Sequence, residues 1–396
     1  MIAWLDSSDR HSKWSTNHVI GEGYMGVFRG SGSQFEYRPY NGVVEHFESD
    51  NPYGLIDDLL ARFREKHPGC IAIGFVGYDD GDGVLPEQWF AFYQTKSFYP
   101  PLFLPKIPRH GDGNYSVGNF IESELNYDDY KKAFDTIQTH IREGDTYQIN
   151  FTQRFQTPFS GDPFALYTRL RQVTPAPFSA YINGGDFQIL SSSPELFFRK
   201  RGSKIQTRPI KGTIRRGATP KEDDALKTQL LNSEKDQAEL VMITDLERND
   251  LGQICQYGSV SVPELATCET YAQVHHLAAT VDGTLKADIT PMECLKSLFP
   301  GGSITGAPKQ RAIDIIESLE TVPRAIYTGC IGWVDAKGNA DFNIAIRTMY
   351  ISNDRLYWHA GGGLTAGSNV DQEWEECQLK ASGMIKALGE KDITTI

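Results

Sequence analysis

The sequence predicts a globular protein that mixes helices and strands, and three observations support this fold class. Apolar residues make up 40% and charged residues 23% of the 396 positions, which is typical of a protein with a sizeable core. Several short runs alternate in polarity or are apolar throughout, as β-strands do, and residues 71–78 form the clearest of them. Other segments repeat apolar residues every three or four positions, as amphipathic helices do.

Composition excludes several classes of protein. The net charge of −12 disfavours nucleic acid as a partner, because the phosphate backbone selects for basic surfaces. No run of about 18 apolar residues occurs, so no membrane span is predicted, and the start shows no signal-peptide pattern. The six cysteines are scattered without a Cys-x-x-Cys pair, which favours reduced thiols in a cytoplasmic protein over a disulfide framework or a zinc site.

The first half of the chain supplies strands, a connection and a helix. Residues 100–113 are crowded with proline and glycine, so sequence order alone suggests two domains divided near residue 110. A helix ending at Gly144 follows, because four apolar residues share one helical face: they are Tyr130, Phe134, Ile137 and Ile141. In the strand at residues 147–152, Gln148 and Asn150 point to one face, which faces either solvent or a wet cavity.

A lysine on a tightly turned strand is the first candidate for chemistry. Lys211 lies between Pro209 and Gly212, after an alternating run that predicts a strand. A hairpin turn near residues 201–202 would bring it close to Glu195. A partly buried amine loses its proton more readily and becomes a nucleophile, and a nearby carboxylic acid can protonate a leaving group. An ordinary salt bridge between the two side chains is the competing interpretation.

Further candidates follow in the second half. His275 and His276 are neighbours in a strand, so only one of them can point at a site. Residues 300–309 form a glycine-rich loop before a helix, a weak signal for binding an anion. Arg347 falls in a strand predicted over residues 342–348, where a buried cation needs an anion partner.

Acidic residues on two helices suit a magnesium ion. Residues 221–250 are predicted to be helical and contain Glu239. A helix over residues 371–388 carries Glu373 and Glu376 on one face, with Lys380 one turn later. Three carboxylates brought together would offer the oxygen ligands that Mg²⁺ prefers, although surface Glu and Lys pairs are common.

These motifs, in this order, resemble the chorismate-utilising enzymes, the family that includes anthranilate synthase component I, isochorismate synthase and salicylate synthase. The similarity runs from about residue 115 to the end. It is dense at residues 193–195, 209–213, 245–250, 299–309 and 361–376. Within the family the chain is most similar to aminodeoxychorismate synthase component I. That resemblance implies conversion of chorismate and ammonia to 4-amino-4-deoxychorismate, for 4-aminobenzoate and folate synthesis.

Two positions distinguish activities within the family. Anthranilate synthases carry alanine where this chain has Lys211, and the resemblance implies that Lys211 is a covalent nucleophile with Glu195 as general acid. Members that add water to chorismate carry a lysine base where this chain has Gln148, so isochorismate and salicylate synthesis are disfavoured. Anthranilate formation or another chorismate conversion remains an alternative, and a catalytically silent subunit that only binds a glutaminase is a third.

The resemblance also implies ligands and partners. It makes Glu239 and Glu376 direct Mg²⁺ ligands, with Glu373 bound through water, and makes His276 the site histidine in preference to His275. A separate glutamine amidotransferase subunit would supply ammonia. Substrate contacts are implied for a further set of residues, namely Gln148, Thr305, Tyr327, Arg347, Gly361, Gly362, Gly363 and Lys380.

The implied fold is an α+β unit in which antiparallel sheets pack face to face with helices outside. In place of two domains, the resemblance implies one composite domain, with residues 1–114 interleaved into a chorismate-binding catalytic domain at 115–396. The site would lie in the cleft between the halves.

Overall fold

Two antiparallel sheets packed face to face form the centre of this protein in the computed structural model. The structure describes residues 1–9, 12–14, 17–81, 83–100, 113–271, 274–389 and 392–395. The proline-rich connection predicted at residues 100–113 lies almost entirely outside the described residues.

The described residues form 22 strands. In chain order they are β1 (Ile2–Asp6), β2 (His18–Ser31), β3 (Gln34–Pro39), β4 (Glu45–Glu48), β5 (Ile71–Val76), β6 (Gln88–Tyr99), β7 (Tyr115–Val117), β8 (Phe120–Ser123), β9 (Gln148–Gly161), β10 (Phe178–Asn183), β11 (Phe187–Ser193), β12 (Leu196–Arg201), β13 (Lys204–Arg208), β14 (Ile210–Arg215), β15 (Ser261–Thr270), β16 (Val274–Thr284), β17 (Gly306–Ala307), β18 (Cys330–Asp335), β19 (Ala340–Ile344), β20 (Thr348–Ser352), β21 (Arg355–Thr365) and β22 (Asp392–Thr395).

The pairings define the two sheets. In the first sheet the strands run β1, β10, β11, β20, β21 and β9. In the second they run β2, β6, β5, β18, β19, β12, β13 and β16, and β1 also pairs with β2 at one edge. The inner faces meet where Phe187 of the first sheet packs against Phe75 and Trp89 of the second, with ring centroids 5.7 and 5.9 Å apart. These contacts confirm the predicted face-to-face packing.

Helices cover the outer faces, as predicted. They are α1 (Pro52–Arg64), α2 (Tyr127–Glu143), α3 (Pro163–Val173), α4 (Pro220–Leu231), α5 (Glu234–Ile254), α6 (Pro291–Leu298), α7 (Lys309–Leu319) and α8 (Val370–Leu388). Helices α1 and α6 share a core with the second sheet, and α3 and α8 share one with the first. Helix α2 ends at Gly144 with φ +81°, the left-handed conformation that glycine adopts most readily. Of the helices described, none combines the length and apolar content needed to cross a membrane.

Strands from the first hundred residues pair with later ones, since β5 lies beside β18 and β1 beside β10. The division of the chain near residue 114 stays a prediction.

Two predicted elements differ from the structure. The single helical segment expected over 221–250 is two helices, because Ser233 caps a new one by accepting a hydrogen bond from Asp236 N. The strand expected over 342–348 stops at Ile344, and Arg347 has a φ of +49° between β19 and β20. The reason is topological: β19 belongs to the second sheet and β20 to the first, so the chain must turn as it crosses.

A second crossing runs beside it. Strand β11 lies in the first sheet and β12 in the second, and Glu195 falls in the short link between them. The Glu195 carbonyl accepts a hydrogen bond from Ile344 N at 3.1 Å, which ties the two crossings together. Glu195 and Arg347 therefore enter the same region from two adjacent crossings.

Candidate active site

A cavity of about 200 Å³ opens beside these crossings. Most of the residues singled out in the sequence line it: Glu195, Lys211, Glu239, His276, Tyr327, Arg347, Gly361, Gly363, Glu373, Glu376 and Lys380. The sheets supply its floor, and α5 and α8 supply an acidic wall.

A β-bulge aims Lys211 into the cavity. On β14, Lys211 lies opposite Leu277 and Thr213 lies opposite His276, so Gly212 is an extra residue in the ladder. Gly212 has a φ of +69°, and a Cβ there would lie 3.0 Å from the Cβ of Asp236. Glycine at this position therefore permits both the bulge and the close approach of α5.

Lys211 and Glu195 meet through a third residue, Ser303. The Lys211 Nζ donates to the Ser303 carbonyl at 3.0 Å, and the Ser303 hydroxyl donates to Glu195 Oε1 at 2.8 Å. The predicted hairpin is present, because β12 and β13 pair with Leu196 opposite Arg208. The competing interpretation of a simple salt bridge is not what the structure has: neither side chain forms an ion pair among the described residues.

Burial moves both side chains toward their uncharged forms. Desolvation raises the pKa of Glu195, and the Ser303 hydrogen bond and the Lys211 charge lower it only in part. Desolvation likewise lowers the pKa of Lys211, against the opposing charges of Glu239 and Glu195. A carboxylic acid beside an unprotonated amine is the combination that acid-assisted nucleophilic attack requires.

Arg347 is a partly buried cation without an ion-pair partner in the part of the chain that the structure describes. Its Nη2 contacts His276 Nε2 at 3.3 Å, and His276 Nδ1 lies 2.8 Å from the Thr213 hydroxyl. Burial, and next the Arg347 charge, lower the pKa of His276 to about 3, so this imidazole is neutral and accepts from arginine. No carboxylate lies within ion-pair distance of Arg347 in the described part of the chain, so the guanidinium is available to an anionic ligand.

The two neighbouring histidines face opposite sides, as predicted. His276 lines the cavity, whereas His275 Nε2 lies 2.9 Å from Asp223 Oδ1 on the other face. The geometry gives His276 a contact with Arg347, and its catalytic role stays a prediction.

Three glutamates and two lysines form the acidic wall. Lys380 Nζ lies 2.7 Å from Glu376 Oε1, and Lys235 Nζ lies 3.3 Å from Glu373 Oε1. Among the described residues Glu239 has no such partner, and its Oε1 is buried without a hydrogen bond. An orphaned carboxylate oxygen is costly to bury, so the wall is suited to a further cation.

These carboxylates fit Mg²⁺ by their chemistry, because hard oxygen donors on one wall are what this ion takes. They are not drawn together as a tight cluster. Within the described ranges, donor atoms all within 4.8 Å of one another occur at His140, Glu143 and Asp145 instead. That surface group is held by Arg311, which lies 2.7 Å from Asp145.

Three predicted substrate-binding residues lie off the cavity wall. Gln148 is fully buried on β9, where a Cβ on Gly363 would lie 3.0 Å from its amide. Neither its amide oxygen nor its amide nitrogen has a hydrogen-bond partner among the residues that the structure describes. The Thr305 hydroxyl donates to the Gly301 carbonyl at 2.8 Å, so it stabilises the glycine-rich loop. Gly362 lies behind two wall residues, since a Cβ built on it would be 3.4 Å from Lys380 Nζ and 3.5 Å from Glu373 Oε2. Contact between these three residues and a substrate stays a prediction.

Sequence reasoning missed several residues that line the cavity, and two of them, Lys235 and Ser303, contact predicted site residues. Lys235 lies one helical turn before Glu239, so the i, i+4 spacing was a usable signal. Ser303 lies in a loop without periodicity, and no pattern in the sequence relates it to Glu195 or Lys211.

Known proteins resemble this chain over most of its length. A family model described as chorismate binding enzyme matches residues 12–386. The chain is 42% identical over 387 residues to aminodeoxychorismate synthase component 1 of Bacillus subtilis (strain 168), covering 94% of this chain and 79% of that protein. It is 40% identical over 365 residues to anthranilate synthase component 1 of Saccharolobus solfataricus, covering 86% of each.

A solved structure has the same architecture. The crystal structure of anthranilate synthase component I from Streptococcus pneumoniae TIGR4 superposes with a TM-score of 0.76 at 28% identity, covering 94% of this chain and 93% of the other. The family match spans every residue of the cavity and all the strands of the two sheets except β1, and the chain therefore belongs to the chorismate binding enzymes.

Proposed function

We propose that this chain converts chorismate and ammonia to 4-amino-4-deoxychorismate, the activity named for its aminodeoxychorismate synthase component 1 relatives. One observation carries the proposal: the Lys211 amine lies in the cavity, joined through Ser303 to a buried carboxyl. A family member that only rearranges or hydrates chorismate has no need of a nucleophilic amine at this position.

The first step uses both side chains. The Lys211 Nζ lone pair forms a bond to C2 of the chorismate ring, the two ring double bonds shift, and the C4–O bond breaks. Glu195 gives its proton to the departing hydroxyl, which leaves as water. The lowered pKa of Lys211 and the raised pKa of Glu195 support these roles.

The second step reverses the shift. Ammonia forms a bond to C4, the double bonds move back, and the C2–N bond breaks to release the neutral Lys211 amine. The Glu195 carboxylate regains its proton from an ammonium ion as that ion becomes ammonia. The net reaction exchanges the C4 hydroxyl for an amino group and releases water.

The remaining wall residues hold the substrate. Arg347, a cation with no carboxylate partner in the described chain, would bind a substrate carboxylate beside Tyr327. Glu239 and Glu376 would hold Mg²⁺, with Glu373 bound through water, and the ion would neutralise the ring carboxylate. That arrangement would allow an acidic wall to accept a dianion.

Ammonia would come from a separate glutamine amidotransferase subunit, since the related proteins are named as component 1. The product would be consumed in 4-aminobenzoate and folate synthesis in the cytoplasm.

The test is direct. The purified protein is incubated with chorismate, Mg²⁺ and ammonium, and the products are separated by chromatography; we expect the non-aromatic amino acid. In a parallel reaction without ammonia, intact-mass measurement should find protein carrying the dehydrated chorismate ring on Lys211. No adduct together with no aminated product would overturn the proposal.

Anthranilate formation is the second candidate, favoured by the 40% identity to the Saccharolobus protein. The same incubation separates the two, because anthranilate is aromatic and fluorescent. A catalytically silent subunit that only binds a glutaminase would give neither product. The presence in the cavity of a lysine, a buried glutamate and three further glutamates at the proposed nucleophile, acid and metal-ligand positions argues against it.

A further inference from the structure

Ser303 lies between the two reacting side chains and contacts both with different atoms. Its carbonyl accepts from Lys211 Nζ at 3.0 Å, and its hydroxyl donates to Glu195 Oε1 at 2.8 Å. Ser303 is 3% exposed, so these contacts are shielded from bulk water. We propose that Ser303 is a positioning residue, whose hydroxyl confines the acidic proton of Glu195 to Oε2 and whose carbonyl orients the Lys211 amine.

The hydrogen bonds of Glu195 are unevenly divided between its two oxygens. Ser303 Oγ and the Ile210 backbone N–H both donate to Oε1, at 2.8 and 3.4 Å. An oxygen that accepts from two donors is a poor place for a proton, because an O–H there would point at other hydrogens. A protonated Glu195 therefore carries its proton on Oε2. Ser303 supplies the shorter of the two bonds and so contributes more to this preference.

The Ser303 carbonyl acts on the amine in a complementary way. A neutral lysine has two N–H bonds and one lone pair. When one N–H points at the carbonyl, the lone pair points away from it, which leaves the lone pair free to attack a ring in the cavity.

The loop that carries Ser303 is held independently of its hydroxyl. The Thr305 hydroxyl donates to the Gly301 carbonyl at 2.8 Å, Arg324 Nη1 donates to the Ile304 carbonyl at 3.0 Å, and Asn150 N donates to the Thr305 carbonyl at 2.8 Å. Removing the hydroxyl should therefore leave the carbonyl in place, so that the effect on Glu195 can be measured alone.

Other charges also act on Glu195. Lys211 and Arg347 lower its pKa along with the Ser303 hydroxyl, whereas Glu247 on α5 and the Tyr327 phenol are further titratable groups that interact with it. Removing one hydrogen bond to the charged form should raise the pKa of Glu195. The acid form would then persist to higher pH. This proposal rests on the acid role given to Glu195 in the proposed function.

The experiment compares Ser303→Ala with the wild type and with Ser303→Thr, which keeps a hydroxyl. Chorismate consumption is followed across pH with the concentration of free ammonia held constant. For Ser303→Ala we expect kcat to fall about 10-fold or more, KM for chorismate to stay within about 2-fold, and the alkaline limb to move up by about one pH unit. Ser303→Thr should have a kcat and an alkaline limb close to those of the wild type.

Ser191→Ala is the matched control, because it removes a buried hydroxyl that bonds Thr348 and lies off the cavity wall. A Ser303→Ala protein whose limb stays in place and whose kcat matches the control would overturn the proposal. A wild type that forms no aminated product would overturn the proposed function instead, so the two failures are distinguishable.

Discussion

Replacing Lys211 with methionine separates chemistry from stability. Methionine has nearly the same length and no amine, so Lys211→Met removes the nucleophile and keeps the cavity filled. The structure gives this lysine one hydrogen bond, to the Ser303 carbonyl, and no ion pair among the described residues.

The expected magnitudes follow from these contacts. Losing one neutral hydrogen bond costs about 1 kcal/mol. Burying the lysine amine is itself unfavourable, and the same desolvation lowers the pKa of Lys211. Methionine avoids this penalty, which offsets part of the lost hydrogen bond. The free energy of unfolding should therefore change by less than about 1 kcal/mol. Turnover should fall roughly 10³-fold or more, since removal of a covalent nucleophile abolishes the pathway that depends on it. Residual turnover would come from direct attack by ammonia.

A matched control is available in Lys200, a buried lysine outside the cavity. Its Nζ donates to the carbonyls of Gly202 and Gly338 at 2.9 and 2.8 Å. Lys200→Met loses two hydrogen bonds, and relief of the desolvation of its amine offsets part of that cost. The variant should therefore be less stable by about 1 kcal/mol or more while retaining turnover and adduct formation. Lys211→Met should thus lose activity and keep its stability, whereas Lys200→Met should lose stability and keep its activity.

The assays are urea unfolding, initial rates of aminated product, and intact mass after incubation with chorismate alone. Turnover by Lys211→Met within tenfold of the wild type would refute the covalent mechanism. An adduct of unchanged yield on that variant would refute the assignment of the nucleophile.

Three further predictions concern the floor, the acidic wall and a buried ion pair. Gly361→Ala should destabilise the fold by about 2 kcal/mol or more, because its Cβ would lie 2.2 Å from the Phe151 carbonyl. Glu239→Gln should weaken Mg²⁺ binding at least about 10-fold by calorimetry, since the orphaned carboxylate loses its charge. Asp6→Asn should cost about 3 kcal/mol at pH 7, since it breaks a buried pair with Arg171 at 2.6 Å. Burial raises the pKa of Asp6, but hydrogen bonds and charge from its cationic neighbours lower it overall, so this stability is present above about pH 4 and is lost as pH falls further.

Each of these has a contradicting result. A Cβ on Gly367 would have no atom within 4 Å of it, so equal destabilisation by Gly367→Ala would remove the steric argument. Unchanged calorimetric titration of Glu239→Gln would exclude this carboxylate as a ligand. For Asp6, a difference between variant and wild type that does not shrink between pH 7 and pH 3 would contradict the depressed pKa.

Local signals in the sequence predicted local structure well. The periodicity of Tyr130, Phe134 and Ile137 identified α2, and Gly144 identified its end, because these patterns depend on neighbouring residues alone. The hairpin that brings Lys211 near Glu195 was predictable for the same reason.

Long-range features were harder to predict. Arg347 looked like a strand residue because its neighbours are apolar, but the chain crosses between sheets there, and sheet membership is decided by partners far away in sequence. Ser303 reaches Glu195 over 108 positions, so no spacing rule relates them. The pairing of Lys235 with Glu373 likewise joins two helices that sequence analysis could only place separately.

The two adjacent crossings have a consequence for how this architecture can vary. Glu195 and Arg347 each occupy a link from one sheet to the other, and the Ile344–Glu195 hydrogen bond couples the links. Because this bond joins the two links, we expect a substitution in the layer between the sheets to move both links together and to change their separation little. The interior can therefore drift in composition over evolutionary time while the spacing of acid and cation endures.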